Sequence, residues 1–400
     1  MSRIEEMIRE LCPNGVEYKK LKNTTTITRG VRVVKSQLQS IGSYPVYQNS
    51  LTPMGYYDKY NCSANTTFII GAGSAGEIGY SSVDFWAADD CFFFVCPDNL
   101  QSRFLYFVLL SQQNIIRSQV RKASIPRLGR AIIENIEIPV PPLAIQNEIV
   151  NILDKFTELE AELEAELEAR RKQYEYYRNK LLNFSEFTPP QEGEVKWLAM
   201  SEIFEIKNGY TPSKAKPEYW TNGTIPWFRM EDIRTNGRIL EDSIQHITPE
   251  AVKGGRLFPA NSIILATTAT IGEHALIIAD SLANQRFTNL SIRKSLADEL
   301  DMKFFFYYMF IVDEWCKNNT NTSGFESVDM VKFKKLQIPI PPMKEQQRIV
   351  AILDKFETLV NDISEGLPAE IAARRQQYEY YRDKLLTFKR KEDAKIQPCC

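Results

Sequence analysis

The residues in this chain best suited to chemistry are bases set beside aromatic and small amide side chains. In the first half these are Arg29, Arg32 and Lys35, then Tyr47, Gln48 and Asn49, then Arg121, Lys122 and Arg127 in the run RKASIPR. In the second half they are Tyr210, Thr211, Ser213 and Lys214, then Arg229, Arg234 and Arg238, then Gln285 and Arg286. Arg, Lys, Asn and Gln hydrogen-bond the edges of guanine or adenine and hold phosphates, so the clusters are candidate DNA-reading surfaces. Each member taken singly reads first as a solvated surface residue; the clustering carries the inference.

Catalytic chemistry has weaker support. Gly71-Ala72-Gly73-Ser74-Ala75-Gly76 follows a predicted strand and fits GxGxxG, the turn that brings a helix N-terminus to a phosphate. The following EIGYSSVDFW lacks helical periodicity, so a glycine-rich loop between strands is expected instead. No GxxxxGK[ST] loop occurs, nor the Asp/Asn-Pro-Pro-aromatic tetrad of an adenine methyltransferase. His246 and His274 have no acidic or cysteine partner in a motif, and structural roles are expected for both. The seven cysteines include no CxxC pair, so no zinc site is expected. Adjacent Cys399 and Cys400 sit in a polar tail expected to be exposed in a reducing compartment. No catalytic set is visible.

The elements that must position the basic clusters come from a duplication. Ile138 to Leu159 aligns without a gap on Ile338 to Leu359 with 13 of 22 positions identical, and Ala169 to Phe184 aligns on Ala373 to Phe388 with 13 of 16. A repeat some 200 residues long is too long for a solenoid, and implies two lobes related by an internal near-two-fold axis. Pro139, Pro141 and Pro142, like Pro339, Pro341 and Pro342, forbid helix up to the last proline and suit a helix start after it. Ile145, Ile149, Ile152, Phe156, Leu159 and Leu163 then alternate spacings of four and three, a coiled-coil seam that continues through Leu167, Arg170, Tyr174, Tyr177 and Leu181. The second copy runs from Ile349 through Phe356, Leu359, Ile363 and Leu367 to Tyr378, Tyr381 and Leu385, with a kink or short break expected at Gly366 and Pro368. Helices of about forty residues, about 60 Å long, must pack on each other, antiparallel.

The lobes read as mixed α/β, an α+β class, with strands at Thr66 to Ile70, Phe92 to Val95 and Ser262 to Leu265. A faint second repetition sets Gly15 against Gly193 and Ala64-Asn65-Thr66 against Ala260-Asn261-Ser262. The expected division is a first lobe at 1–142, a first helix at 143–184, a second lobe at 185–342, a second helix at 343–388 and the tail at 389–400. In the helices, Arg170, Arg171, Glu175, Tyr176 and Arg178 recur as Arg374, Arg375, Glu379, Tyr380 and Arg382. Glu175, Tyr176 and Arg178 fall off the seam. Either one partner docks twice on this block, or the duplication is recent.

Composition sets outer bounds. The net charge of -2 hides an asymmetry: residues 18–130 hold 13 bases against 6 acids, whereas Asp154 to Glu168 holds seven acids and one lysine, and residues 185–335 hold 17 bases against 20 acids. The first lobe therefore suits an anionic ligand by bulk charge and the second only through local clusters. The longest candidate apolar run, Phe304 to Val312, is too short to span a bilayer and no signal pattern opens the chain, so a cytoplasmic protein is expected.

Two variable lobes alternate with two alike helices, each entered by Ile-Pro-x-Pro-Pro and carrying Gln-x-x-Ile-Val-x-Ile-Leu-Asp-Lys-Phe and Arg-Arg-x-Gln-Tyr-Glu-Tyr-Tyr-Arg. This resembles the specificity subunit of type I restriction-modification systems over essentially the whole chain, and LEAELEAELEA at Leu159 to Ala169 resembles that family's spacer helix. The resemblance implies two target recognition domains, each reading half of a bipartite, asymmetric double-stranded DNA site. It implies helices that set the gap and bind two modification subunits, with restriction subunits joining through the complex. S-adenosylmethionine, ATP and Mg would then belong to partner subunits, leaving this chain non-catalytic and without a cofactor. Two other classes stay open: a self-contained or fused DNA methyltransferase component, and a non-catalytic coiled-coil scaffold.

Overall fold

A computed structural model describes residues 3–184, 195–321, 326–361 and 366–391. Ile363, Gly193, Cys399 and Cys400 lie outside them. The chain divides into two compact units, Met1–Ala165 with Glu370–Cys400, and Glu166–Ala369, so each unit holds one lobe and a stretch of both long helices.

The central sheet of the first lobe has the strand order Thr26–Arg29, Cys91–Val95, Thr66–Ile70, Ile78–Ser81, all antiparallel. Its inner strands are apolar runs, TTFII and CFFFV, because both faces are covered. Period-two alternation sends Ile69, Phe92 and Phe94 into one core, with helix Ser102–Ser111, and Phe68, Ile70 and Phe93 into another, with Tyr47 and Phe85. A small sheet, Tyr56–Tyr57, Tyr44–Tyr47 and Trp86–Ala87, completes the lobe.

The second lobe repeats this plan. Its sheet runs Phe204–Asn208, Phe287–Ile292, Ser262–Ala266, His274–Ile277, Ile239–Leu240, and its small sheet His246–Ile247, Ile225–Phe228, Leu282–Ala283. Ile263, Leu265 and Leu290 face the core under helix Met302–Asn318, while Ile264, Ala266 and Phe287 face the other. That helix holds the longest apolar run, and no described helix is long and apolar enough to cross a membrane. The faint repetition is a structural one: Asn65 and Asn261 both adopt left-handed φ, 60° and 57°, where Asn is tolerated. The amides before them, Ala64 and Ala260, donate to Asp84 at 2.7 Å and Asp280 at 2.8 Å.

The first long helix runs Leu143–Leu182 and begins where Pro142 accepts the amides of Ile145 and Gln146. The second is described as Met343–Asn361 and Leu367–Leu385. Gly366 lies in a bend and Pro368 at the second position of the new helix, where its missing N–H costs nothing.

The first turns bury more than a seam. Besides Ile145 and Ile149, residues Gln146, Val150 and Leu153 are buried, as are Gln346, Val350 and Leu353, because the helix start packs on its lobe as well as on the other helix. Gln146 Nε2 donates to the carbonyls of Pro141 (2.7 Å) and Asn99 (2.9 Å), and its Oε1 accepts from the amide of Gln101 (2.9 Å). Gln346 does the same with Pro341 (2.8 Å), Glu299 (3.1 Å) and Asp301 (2.9 Å). One carboxylate adds a second anchor in each copy. Asp154 binds Arg103 at 2.7 Å, and Asp354 binds Lys303 Nζ at 2.7 Å and Tyr307 Oη at 2.5 Å.

Farther along, the seam is looser than its spacing predicts. Leu159 and Leu359 are 49% and 36% exposed, because away from the lobe only one helix covers the stripe. The pairing within each unit is aromatic: Phe156 meets Tyr378 and Tyr381, and Phe356 meets Tyr174 and Tyr177. In the first unit, Arg375 reaches Glu160 and Glu164 while Tyr381, later in the chain, reaches Phe156, so the two helix segments run antiparallel.

Candidate nucleic-acid interface and docking face

Three segments of the first lobe that are distant in sequence converge at one place. The loop after Tyr44–Tyr47 offers the Asn49 carbonyl to the amide of Ser74 at 2.8 Å. The RKASIPR loop closes on itself through Arg121 N to Arg127 O (2.9 Å) and the reverse bond (3.2 Å). Its Pro126 carbonyl takes the Gly73 amide at 3.1 Å, and the Leu128 amide donates to Gly71 at 2.8 Å. Asn49, Ser74, Arg121, Lys122 and Arg127 are all exposed around this junction. Ser74 carries no sequence signal of its own; its position depends on tertiary pairing with Asn49.

The same bonds settle the glycine-rich loop. The amides of Gly71, Gly73, Ser74, Gly76 and Glu77 donate to carbonyls of Asp90, Pro126, Asn49, Ile70 and Ser74, and the loop joins two antiparallel strands. Amides already engaged do not cradle a pyrophosphate.

Other first-lobe candidates separate. Tyr47 is half-buried, its ring 4.8 Å from Phe68 and 5.6 Å from Phe85, and burial raises its phenol pKa, so it packs. The Tyr47 and Gln48 carbonyls take the buried Cys91 thiol at 3.3 and 3.2 Å. Arg29 is exposed and donates Nε to Asp89 O at 2.7 Å; Arg32 and Lys35 are exposed in the segment that follows. The turn between them is set by Gly30, whose added Cβ would lie 2.2 Å from the Ala88 carbonyl oxygen. Gly209 holds the equivalent place in the second lobe, 2.3 Å from the Asn284 oxygen. Only glycine fits such an approach.

Past Gly209, Tyr210 and Thr211 enter the second-lobe site. Thr211 Oγ1 donates to Gln285 Oε1, and the Arg286 carbonyl takes the Thr267 amide at 2.9 Å, so Thr211, Gln285 and Arg286 come together with the 267–272 turn. Tyr210 Oη accepts from Lys253 N at 2.6 Å, and its ring lies under the Lys253 ammonium. Ser213 and Lys214 stand exposed beyond. Arg229 precedes helix Met230–Asn236 and Arg234 lies in its last turn; the Arg229 amide donates to Asp232 at 2.6 Å and its guanidinium pairs with Glu231 at 3.0 Å. Arg238 does not join them: it points inward to Phe310 and donates to the His274 carbonyl at 2.9 Å.

Both histidines have acidic partners that no motif announces. His274 Nδ1 lies 2.6 Å from Asp313, both buried, and His246 Nε2 lies 2.6 Å from Asp242. The Asp242 pKa is lowered, first by its bond from the Ser243 amide and then by His246.

On the helices, Glu175, Tyr176, Glu379 and Tyr380 are exposed, Tyr176 at 59% and Tyr380 at 61%, each edge-on to the next tyrosine with centroids 5.3 Å apart. Arg178 and Arg382 are half-buried: Arg178 over Tyr174 and Phe310, Arg382 over Tyr378 and beside Asp383. Intramolecular packing accounts for their recurrence. Arg170 and Arg374 bond to Glu166 and Glu370 one turn back, Arg375 bonds to Glu160 and Glu164, and Arg171 is exposed.

One scaffold built twice, with the same anchors to paired helices and different exposed loops, defines a two-headed recognition protein. The family model of the type I restriction modification DNA specificity domain matches residues 13–169 and again 193–373, and the chain belongs to that family of specificity subunits. Over 315 residues it is 39% identical to the Escherichia coli type I restriction enzyme EcoR124I/EcoR124II specificity subunit, covering 74% of each chain. Over 206 residues it is 57% identical to the EcoprrI specificity subunit of Escherichia coli, a match that spans 50% of this chain and 51% of that one. The solved S subunit of a type I restriction-modification system from M. genitalium shares the fold at a TM-score of 0.57 and 17% identity, covering 93% and 96% of the two chains.

Proposed function

We propose that each lobe reads one half of a bipartite, asymmetric DNA site in the cytoplasm, and that the long helices set the gap and dock two modification subunits. The lobes are taken at 1–142 and 185–342, the helices at 143–184 and 343–388. Chemistry belongs to the partners, which bring S-adenosylmethionine, ATP and Mg; restriction subunits join through the complex. The observation that carries this reading is equivalence with divergence. Asn65 and Asn261, Gly30 and Gly209, and Gln146 and Gln346 do the same work in both copies, while beside those glycines Arg32, Asp89 and Asp90 of the first copy stand where Thr211, Gln285 and Arg286 stand in the second. A protein reading one palindrome would not diverge there.

The test is exchange of one lobe. The chain carrying residues 195–337 of a relative with another specificity, assembled with its modification subunit, should methylate a site changed in one half only. Change in both halves, or no sequence-dependent DNA binding by the complex, overturns the reading. The isolated chain should not retain labelled S-adenosylmethionine.

A further inference from the structure

Two turns stand at the same place in the two lobes and carry opposite chemistry. In the second lobe the Phe287 amide donates to the Asn284 carbonyl at 3.1 Å, which puts Gln285 and Arg286 at the two corners of a turn. In the first lobe the Cys91 amide donates to the Ala88 carbonyl at 2.9 Å, with Asp89 and Asp90 at the corners. Both turns are tied down alike. The Arg286 and Asp90 carbonyls take the amides of Thr267 (2.9 Å) and Gly71 (2.6 Å), and the Phe287 and Cys91 carbonyls take those of Gly209 (2.8 Å) and Gly30 (2.9 Å). The backbone is shared, and the corner side chains differ.

The second-lobe corner offers donors. Thr211 Oγ1 donates to Gln285 Oε1, so the amide oxygen is engaged while the donor Nε2 remains available. Arg286 is exposed and pairs with no carboxylate among the described residues, and its amide is held by Asn284 Oδ1 at 2.9 Å. A guanidinium adds donors and no acceptor, whereas ionised Asp89 and Asp90 at the equivalent corner accept and cannot donate. The two corners therefore do not suit the same base edge.

We propose that the Gln285–Arg286 corner reads a guanine in the half-site of the second lobe, with Thr211 as the positioning residue that fixes the amide. The inference rests on the two-lobe reading above and adds the base. In the major groove guanine presents two acceptors, O6 and N7, to a set of donors. Adenine and cytosine each present an amino group that would face another donor, and thymine offers a single acceptor. A phosphate would take Arg286 as readily, but it gains little from a neutral amide held in one orientation by a hydroxyl. Direction, rather than charge, is what the Thr211 bond supplies, and direction is what base readout uses.

The experiment uses the full chain assembled with its modification subunit and a library of duplexes varied in each half-site. The unaltered complex should demand guanine at one position of the second half-site, and replacing that base by 7-deazaguanine, which lacks the N7 acceptor, should weaken binding. Arg286→Ala should lose about tenfold at the guanine site, lose preference at that position alone and become indifferent to 7-deazaguanine. Thr211→Val frees Gln285 Oε1 to accept from an amino group and should admit adenine there, while Thr211→Ser restores the wild-type preference. The first half-site should keep its preference in every variant. No demand for guanine in the second half-site overturns the assignment, as does a change of preference in both halves. Arg286→Ala weakening all sequences alike, with a salt slope shallower by about one, would assign the arginine to phosphate and also overturn it. Absence of any sequence-dependent binding by the unaltered complex would count instead against the two-lobe reading itself.

Discussion

The ring of Phe156 stacks on that of Tyr381 with centroids 5.6 Å apart and planes at 26°. In the other unit Phe356 stacks on Tyr177 at 5.8 Å and 24°. The start of each long helix is thus locked to the end of the other by the same pair of residue types. Both rings are partly exposed, so Phe156→Ala and Phe356→Ala should each cost about 2 kcal/mol, below the cost of emptying a full core site. Urea unfolding of the two variants would check this, and a loss in one copy only would show that the stacks are not equivalent.

Gln146 and Gln346 are wholly buried and each satisfies two carbonyls and one amide. Gln146→Leu or Gln346→Leu would strand those groups at a cost of about 2–3 kcal/mol, more than the apolar gain. The midpoint of denaturant unfolding should fall accordingly; an unchanged midpoint would mean that water replaces the amide.

Four residues of helix add about 6 Å and roughly one turn. Deleting Ala161 to Glu164 should therefore shift the gap between half-sites by a base pair or two, leaving both half-sites unaltered. The deletion also removes Glu164 from Arg375, so some loss of stability is expected. Mapping methylated positions would decide, and an altered half-site sequence would sink the idea of a ruler.

The first-lobe junction predicts selective losses. Arg121→Ala and Arg127→Ala should each lower the slope of log affinity against log salt by about one if they hold phosphates. Ser74→Ala or Asn49→Ala should relax preference in one half-site only. Binding assays against a library varied in each half would reveal whether the second half stays untouched, as expected.

Burial raises the thiol pKa of Cys62 and Cys316 to about 12 and of Cys96 to about 11. Cys91 is raised too, by burial and the nearby Asp90. In the native protein at pH 8 these thiols should react with a disulfide reagent at least about a hundredfold more slowly than in denaturant. Because the folded pKa values exceed the ordinary one, the stability they contribute is full below about pH 9, the usual thiol value, and declines as pH rises from there. Rapid native labelling of Cys316 would contradict its placement.

The duplication, the proline-led helix starts, the inner strands and the aromatic seam were legible in the sequence, because each is a local pattern of period, spacing or backbone restriction. Identity between the copies also marked Gln146, Asp154 and Tyr176, though not what they touch. Only tertiary structure decided that Arg178 and Arg382 pack inward while Tyr176 and Tyr380 stay out, since all four fall off the seam and differ in what lies beside the helix. The same holds for Ser74, brought to Asn49 by a strand pairing, for Arg238, drawn to Phe310, and for His274, joined to Asp313 across 39 residues. A contact between residues far apart in the chain leaves no period behind. The sequence therefore determined which parts are scaffold and which vary, and folding alone chose the residues that stand together on the surface.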